Sequence, residues 1–144
     1  MITKKEIAIL KEMRGNARIN LVELSNKVGL PVSTVAYKIK KLERGVIKKY
    51  VSLMDFSKLG FNIKVICLIT PRVEQKSEII SFLLSNKQVN SIYKIDNRYD
   101  YLIECIFKTM GDLELFGDQL DNFVTEKEEH FVVENIKTER FLPL

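Results

Sequence analysis

Apolar positions along this chain follow two periods, and the change from one to the other comes near residue 60. In the first stretch they recur at helical spacing. Thr3-Lys4-Lys5-Glu6 is a capping-box pattern that opens a helix running to about Arg14, with Ile9, Leu10 and Met13 available for a core. Gly15-Asn16 ends it, and Ala17-Arg18-Ile19 leads on. Leu21, Leu24 and Val28 then fall at i, i+3 and i+7, one stripe of a short helix with Asn20 as N-cap, Glu23 three residues on, and Gly29 suited to the left-handed position past its end. A further helix over residues 32–44 points Val35, Ile39 and Leu42 inward. Two short helices joined by a tight turn make a helix-turn-helix. After Gly45, residues 46–53 read as a strand, either a wing or the start of a connection, and residues 55–61 as a polar hinge around Leu59-Gly60.

From Asn62 the period shortens. Residues 63–70 are β-rich and stop at Pro71. Residues 75–86 are helical, with Ile79, Phe82 and Leu83 on one side. Residues 89–95 form a second strand, Asp96-Asn97-Arg98 a turn, and residues 99–108 a third strand. Thr109 begins a helix with Leu113, Phe116, Leu120 and Phe123 along one side, and residues 131–141 read as the last strand. Strand-helix-strand-strand-helix-strand is the split βαβ, ferredoxin-like order. The expected class is α+β: a helix-turn-helix domain at 1–50, a hinge at 51–61, and a ferredoxin-like domain at 62–144.

Alternation adds one inference. In the third strand Tyr101, Ile103, Cys105 and Phe107 share the face under the helices. Leu102 and Ile106, matched by Ile66 and Leu68 of the first strand, leave an apolar patch on the helix-free face. Such a patch needs a cover. A second copy of the chain is favoured, because a two-fold dimer also pairs two helix-turn-helix units; the N-terminal unit folded back over the face is the other cover.

Charge sharpens this picture. Residues 1–60 hold 13 Lys/Arg against 5 Asp/Glu, a balance of +8, while residues 61–144 hold 10 against 14, a balance of −4. A basic half on an acidic remainder fits a polyanion-binding module joined to a non-binding domain. The helix at 32–44 carries the candidate contacts. Val32 stands at its start, Ser33, Thr34 and Tyr37 are placed for base or sugar-phosphate contact, and Lys38, Lys40, Lys41 and Arg44 for phosphates. The plain alternative is an amphipathic helix with a solvated basic face.

Of the 144 residues 46% are hydrophobic, enough for one good core or two small ones. No long apolar run spans a membrane, and Met1-Ile-Thr-Lys-Lys lacks the apolar stretch of a signal peptide. Cys67 and Cys105 sit in apolar segments and read as buried thiols rather than a disulfide framework or a metal site. A reduced, cytoplasmic protein is expected. The single histidine, His130, is placed at the mouth of the last strand in a surface or capping role. No metal-ligand cluster, P-loop or nucleophile elbow is present, so neither an enzyme nor a cofactor is expected.

Taken together, the chain resembles the Lrp/AsnC (feast/famine) family of transcription regulators over essentially all its length. The N-terminal residues that carry the likeness are Ile9-Leu10, Met13, Asn16-Ala17-Arg18-Ile19, Glu23-Leu24, Val28-Gly29-Leu30, Ser33-Thr34-Val35, Lys38-Ile39, Leu42-Glu43, Gly45-Val46-Ile47 and Tyr50, ending at Leu59-Gly60. The resemblance implies a regulator that binds double-stranded DNA, dimerises through sheet packing, assembles further into tetramers or octamers, and responds to an amino acid. It also implies an effector loop before the third strand, here Asn97, Arg98, Tyr99 and Asp100. An amino acid offers an ammonium to Asp100 and a carboxylate to Arg98.

Two positions depart from the family pattern. Pro31 replaces a usual serine at the start of the recognition helix, which shifts the expected cap. Asn97 replaces a usual glycine, so its side chain either enters the pocket and favours small or polar ligands, or holds a left-handed turn in a loop that serves assembly alone. Two other functions share the architecture: a haem-pathway decarboxylase, which has no need of a basic recognition helix, and an architectural DNA-binding protein without effector.

Overall fold

Thr3 opens the first helix by satisfying two of its orphan donors. Its hydroxyl accepts the Glu6 N–H at 3.2 Å, and the Glu6 carboxylate accepts the Thr3 N–H at 2.8 Å, a closed capping box. The resulting α1 spans Lys4–Gly15. In α2, Leu21–Val28, the Asn20 side chain accepts the Glu23 N–H at 2.8 Å, and Gly29 ends the helix at φ 64°. That conformation is cheap for glycine and strained for other residues. The third helix, α3, spans Val32–Gly45. This computed structural model describes residues 1–96 and 98–140.

The chain divides into two units, Met1–Leu53 with the described residues from Lys137 onward, and Met54–Ile136. The break between them falls inside the expected hinge, between Leu53 and Met54. The segment from Met54 joins the second unit, where a 3-10 turn at Phe56–Leu59 closes on Gly60 and the Lys108 ammonium lies 4.9 Å from the centre of the Phe61 ring. Residues from Lys137 join the first, where Arg14 and Glu139 pair at 2.9 Å.

In the first unit Ile9, Met13, Leu24, Val35 and Leu42 form the buried core. Leu21, expected inside, is 40% exposed, and Leu24 and Val28 carry the inner stripe of α2 instead. An eight-residue helix makes only about two turns, and Leu21, its first residue, lies at the edge of the buried contact. The strand expected at 46–53 is not formed. Tyr50, Val51 and Leu53 are exposed there, since β-forming side chains make no strand without a ladder partner.

The second unit holds β1, Ile63–Pro71; a 3-10 turn, Val73–Gln75; α4, Lys76–Ser85; β2, Val89–Lys94; β3, Tyr101–Phe107; α5, Met110–Asp121; and β4, Val124–Phe131. The four strands lie in the order β2-β3-β1-β4, every neighbouring pair antiparallel. This is the ferredoxin-like sheet expected from the element order. Val65, Cys67 and Ile69 of β1 and Ile103, Cys105 and Phe107 of β3 pack with Ile79, Leu83, Leu113, Phe116 and Leu120 of the helices. Phe107 meets Phe116 at 5.5 Å between ring centres.

The last strand is the largest correction. It begins at Val124 and ends at Phe131, where it was expected to begin. The reason is chemical: Thr125 to His130 is almost wholly polar, and apolar alternation finds no strand in it. An edge strand tolerates such a run, and charges on both faces guard it against pairing with another sheet. Residues 132–140 continue without strand structure, and Phe141, the last residue of the expected strand, lies outside the described residues.

Candidate nucleic-acid interface

Helical period divides α3 into three stripes. Val35, Ile39 and Leu42 face the core. Ser33, Tyr37, Lys40 and Arg44, spaced i, i+4, i+7 and i+11, are all exposed, Tyr37 at 71%. Thr34, Lys38 and Lys41 make the stripe between them. Val32 is also exposed, in the first turn. Pro31 occupies the cap position without a side-chain bond, and the Val35 N–H donates to its carbonyl at 3.0 Å. Pro31 thus stands just before the helix rather than at its first position. The first-turn N–H groups are left unpaired by any side-chain cap, which favours an anion there.

The middle stripe is engaged. Lys38 and Lys41, expected to meet phosphates, reach the carboxylate of Glu6 on α1, at 3.3 and 3.0 Å. Glu6 is 1% exposed and the sole buried charged side chain among the described residues. Sequence reading missed it, because its capping-box role already accounted for an acid at that position. The Thr3 backbone N–H first, and then the Lys41 ammonium, hold its carboxyl down at about 2 against burial.

A carboxyl lowered on folding stabilises the fold above its unfolded pKa and loses that contribution as it is protonated. For Glu6 the contribution is complete above about 4.5 and drains away as pH falls toward about 2. Melting curves of wild type and Glu6→Gln should therefore lie apart near neutral pH and converge through that window. A constant offset down to about pH 3 would refute the assignment.

At the other end of the chain, the loop before β3 docks on β4. Arg98 Nε lies 3.3 Å from Glu126, and the Tyr99 hydroxyl donates to Glu128 at 2.7 Å. Glu128 also meets His130 Nε2 at 2.6 Å. Those partners raise the Tyr99 phenol and lower the Glu128 carboxyl. Half-buried Asp100 donates its N–H to Ile69 at 3.0 Å, and its carbonyl accepts from Ile95 at 2.9 Å. The loop is therefore pinned by backbone at the β1–β3 end. Asn97 lies outside the described residues. Glu126 and Glu128 are the residues that sequence reading missed here, hidden in a stretch not taken for a strand. His130 stands near the end of β4 rather than at its mouth.

On the helix-free face, Leu68 opposes Leu102 in register, and Leu102 opposes Tyr93. Ile66, Leu68 and Leu102 are half-buried, as an apolar patch awaiting a cover would be. Ile106 is not part of that open patch. It is 7% exposed within its own unit, in the wall of a cavity of about 370 Å³ with Phe56, Phe61 and Val132. The cavity lies toward the Ile63 end of β1, away from the Arg98 loop. Cys67 and Cys105, free thiols on the covered face, are raised by burial, Cys67 to about 12.

Comparison with known proteins places this geometry. Residues 2–48 match the family described as winged helix-turn-helix DNA-binding. An HTH-type transcriptional regulator of Pyrococcus abyssi is 31% identical over 138 residues, 90% of this chain and 89% of the relative. The leucine-responsive regulatory protein of Rhizobium meliloti is 25% identical over 115 residues, 77% of this chain and 74% of the relative. A transcriptional regulator of Neisseria meningitidis, solved as its L-Met complex, superposes with a TM-score of 0.93 at 25% identity, covering 99% of this chain and 97% of the other. Among the described residues no helix is long and apolar enough to cross a membrane. The chain belongs to the Lrp/AsnC family of DNA-binding transcriptional regulators.

Proposed function

We propose that the chain regulates transcription by laying α3 against double-stranded DNA, with Ser33 and Tyr37 toward base edges or sugar-phosphate, and Lys40 and Arg44 on phosphates. The observation that carries this is the unbroken exposed stripe Ser33-Tyr37-Lys40-Arg44 at helical spacing. Its hydroxyls and cations suit duplex DNA, and an enzyme of the same architecture would have no use for them. The test is equilibrium binding of the purified chain to random and promoter duplexes over a salt series, with an absorbance scan for haem. The expected result is salt-steep binding to both, tighter to promoter DNA, with no haem band. Equal affinity for both duplexes would favour an architectural protein; a haem band without DNA binding would favour the decarboxylase.

The regulator acts as a homodimer built on Ile66, Leu68 and Leu102, and larger assemblies follow from further contacts between dimers. A basic N-terminal unit on each copy then meets one of two half-sites roughly one helical turn apart.

Loop residues Arg98, Tyr99 and Asp100, with Asn97, bind an amino-acid effector. Support comes from a cation and a carboxylate two residues apart in one loop, Arg98 and Asp100, and from the relative solved with L-Met. Because Glu126 already holds Arg98, a ligand carboxylate must displace it, so affinity should be modest. Isothermal titration with each of the twenty amino acids is expected to show millimolar or tighter binding of at least one, lost in Asp100→Ala. No heat from any of them, in wild type and in Asn97→Gly alike, would leave the loop with assembly alone.

A further inference from the structure

Glu6 sets one buried carboxylate against two ammonium groups of the recognition helix. Both of its oxygens are used: one accepts the Thr3 N–H, the other accepts from Lys38 and Lys41. A buried carboxylate that loses its partners is left as an uncompensated charge, which is among the costlier defects a small fold can carry. The cluster therefore ties α3 to α1. It also decides which side chains are available to DNA. Lys38 keeps only 19% of its side chain exposed and Lys41 57%. Their stripe is turned roughly 100° around the helix from Ser33-Tyr37-Lys40-Arg44. For Lys38 to reach a phosphate it would have to abandon a carboxylate that water cannot rehydrate.

We propose that Glu6 is a positioning residue for DNA binding: it gathers Lys38 and Lys41 into one ion cluster, locks the recognition helix on α1, and withdraws both lysines from the phosphate-binding set. The inference rests on the DNA-binding reading above. Its consequence is selectivity. Phosphate neutralisation supplies essentially all of the affinity for random DNA, each contact adding about 0.9 to the slope of log K on log salt. Withdrawing two lysines thus weakens random binding while the stripe that meets base edges stays in place.

The test uses the full chain as wild type, Glu6→Gln, Lys38→Met and Lys40→Ala, each titrated with a random duplex from 50 to 200 mM salt and each melted thermally. Lys40→Ala should flatten the slope by about one. Lys38→Met should keep the wild-type slope and melt lower. Glu6→Gln should melt lower and steepen the slope by about one, as Lys41, the more exposed of the pair, is released; over that fourfold rise in salt the added loss of affinity is about 3.5-fold. A slope in Lys38→Met as flat as in Lys40→Ala overturns the proposal. So does a Glu6→Gln chain that melts lower at unchanged slope, which would make Glu6 a structural residue only. If wild type binds no duplex at any salt, the DNA-binding reading fails and the withdrawal of lysines with it. A double-mutant cycle between Glu6 and Lys38 in thermal melts separately decides whether the ion cluster locks α3 on α1, and additive losses would overturn that lock.

Discussion

A chain carrying Leu102→Asp is expected to sediment as a folded monomer at micromolar concentration, where the proposed interface predicts a dimer for wild type. Leu102 stands at the middle of the helix-free face, opposite Leu68 on one side and Tyr93 on the other. A carboxylate there would be buried against a symmetry-related apolar surface with no cation to receive it. Glu126 and Glu128 lie on the same face of β4, two strands from Leu102 across β1, paired in register with Thr70 and Leu68, so this side of the face already carries charge of the same sign. The lost apolar burial at ~25 cal/mol per Å² and the desolvation of the acid together amount to a few kcal/mol, or roughly a hundredfold or more in the dimer constant. Circular dichroism separates dissociation from unfolding, because the core under α4 and α5 is on the opposite face. Sedimentation of a dimer with the wild-type constant would remove this face from the interface.

The double substitution Lys40→Ala with Arg44→Ala should flatten the salt dependence of random-duplex binding by about 1.8, two contacts at about 0.9 each. Affinity should fall to a similar degree on random and promoter DNA, since phosphate contacts carry no sequence information. Tyr37→Ala is the complement: a smaller change of slope and a larger loss on promoter than on random DNA. Both exposed cations lie far from the packed face of α3, so melting should stay near wild type. A double variant that binds random duplex like wild type across the whole series would mean that α3 does not face DNA through this stripe.

How much could be read beforehand depends on whether the cause is local. The caps of α1 and α2 were legible because Thr3, Glu6, Asn20 and Gly29 act within four residues of themselves. The inner stripes of α3, α4 and α5 were legible because burial repeats with the helical period. The last strand was not, because β4 is an edge held by pairing with β1, from Val65 opposite Phe131 to Thr70 opposite Glu126. No apolar alternation marks it. The outer face of α3 was half legible. Sequence separates its core stripe from the rest, but sorting the remaining cations needs to know what stands beside the helix.

By itself, then, the sequence determined the two-part α+β architecture, the place of the basic helix and the βαββαβ order, since each follows from short-range periodicity, capping and summed charge. Tertiary structure decided the residues whose roles depend on a partner distant in the chain. Lys38 and Lys41 go to Glu6, more than thirty positions away; Arg98 and Tyr99 go to Glu126 and Glu128; Ile106 is buried against residues that flank the sheet. An ion pair or a covered face is set by which surfaces meet, and long-range contact between surfaces leaves no periodic trace in either segment.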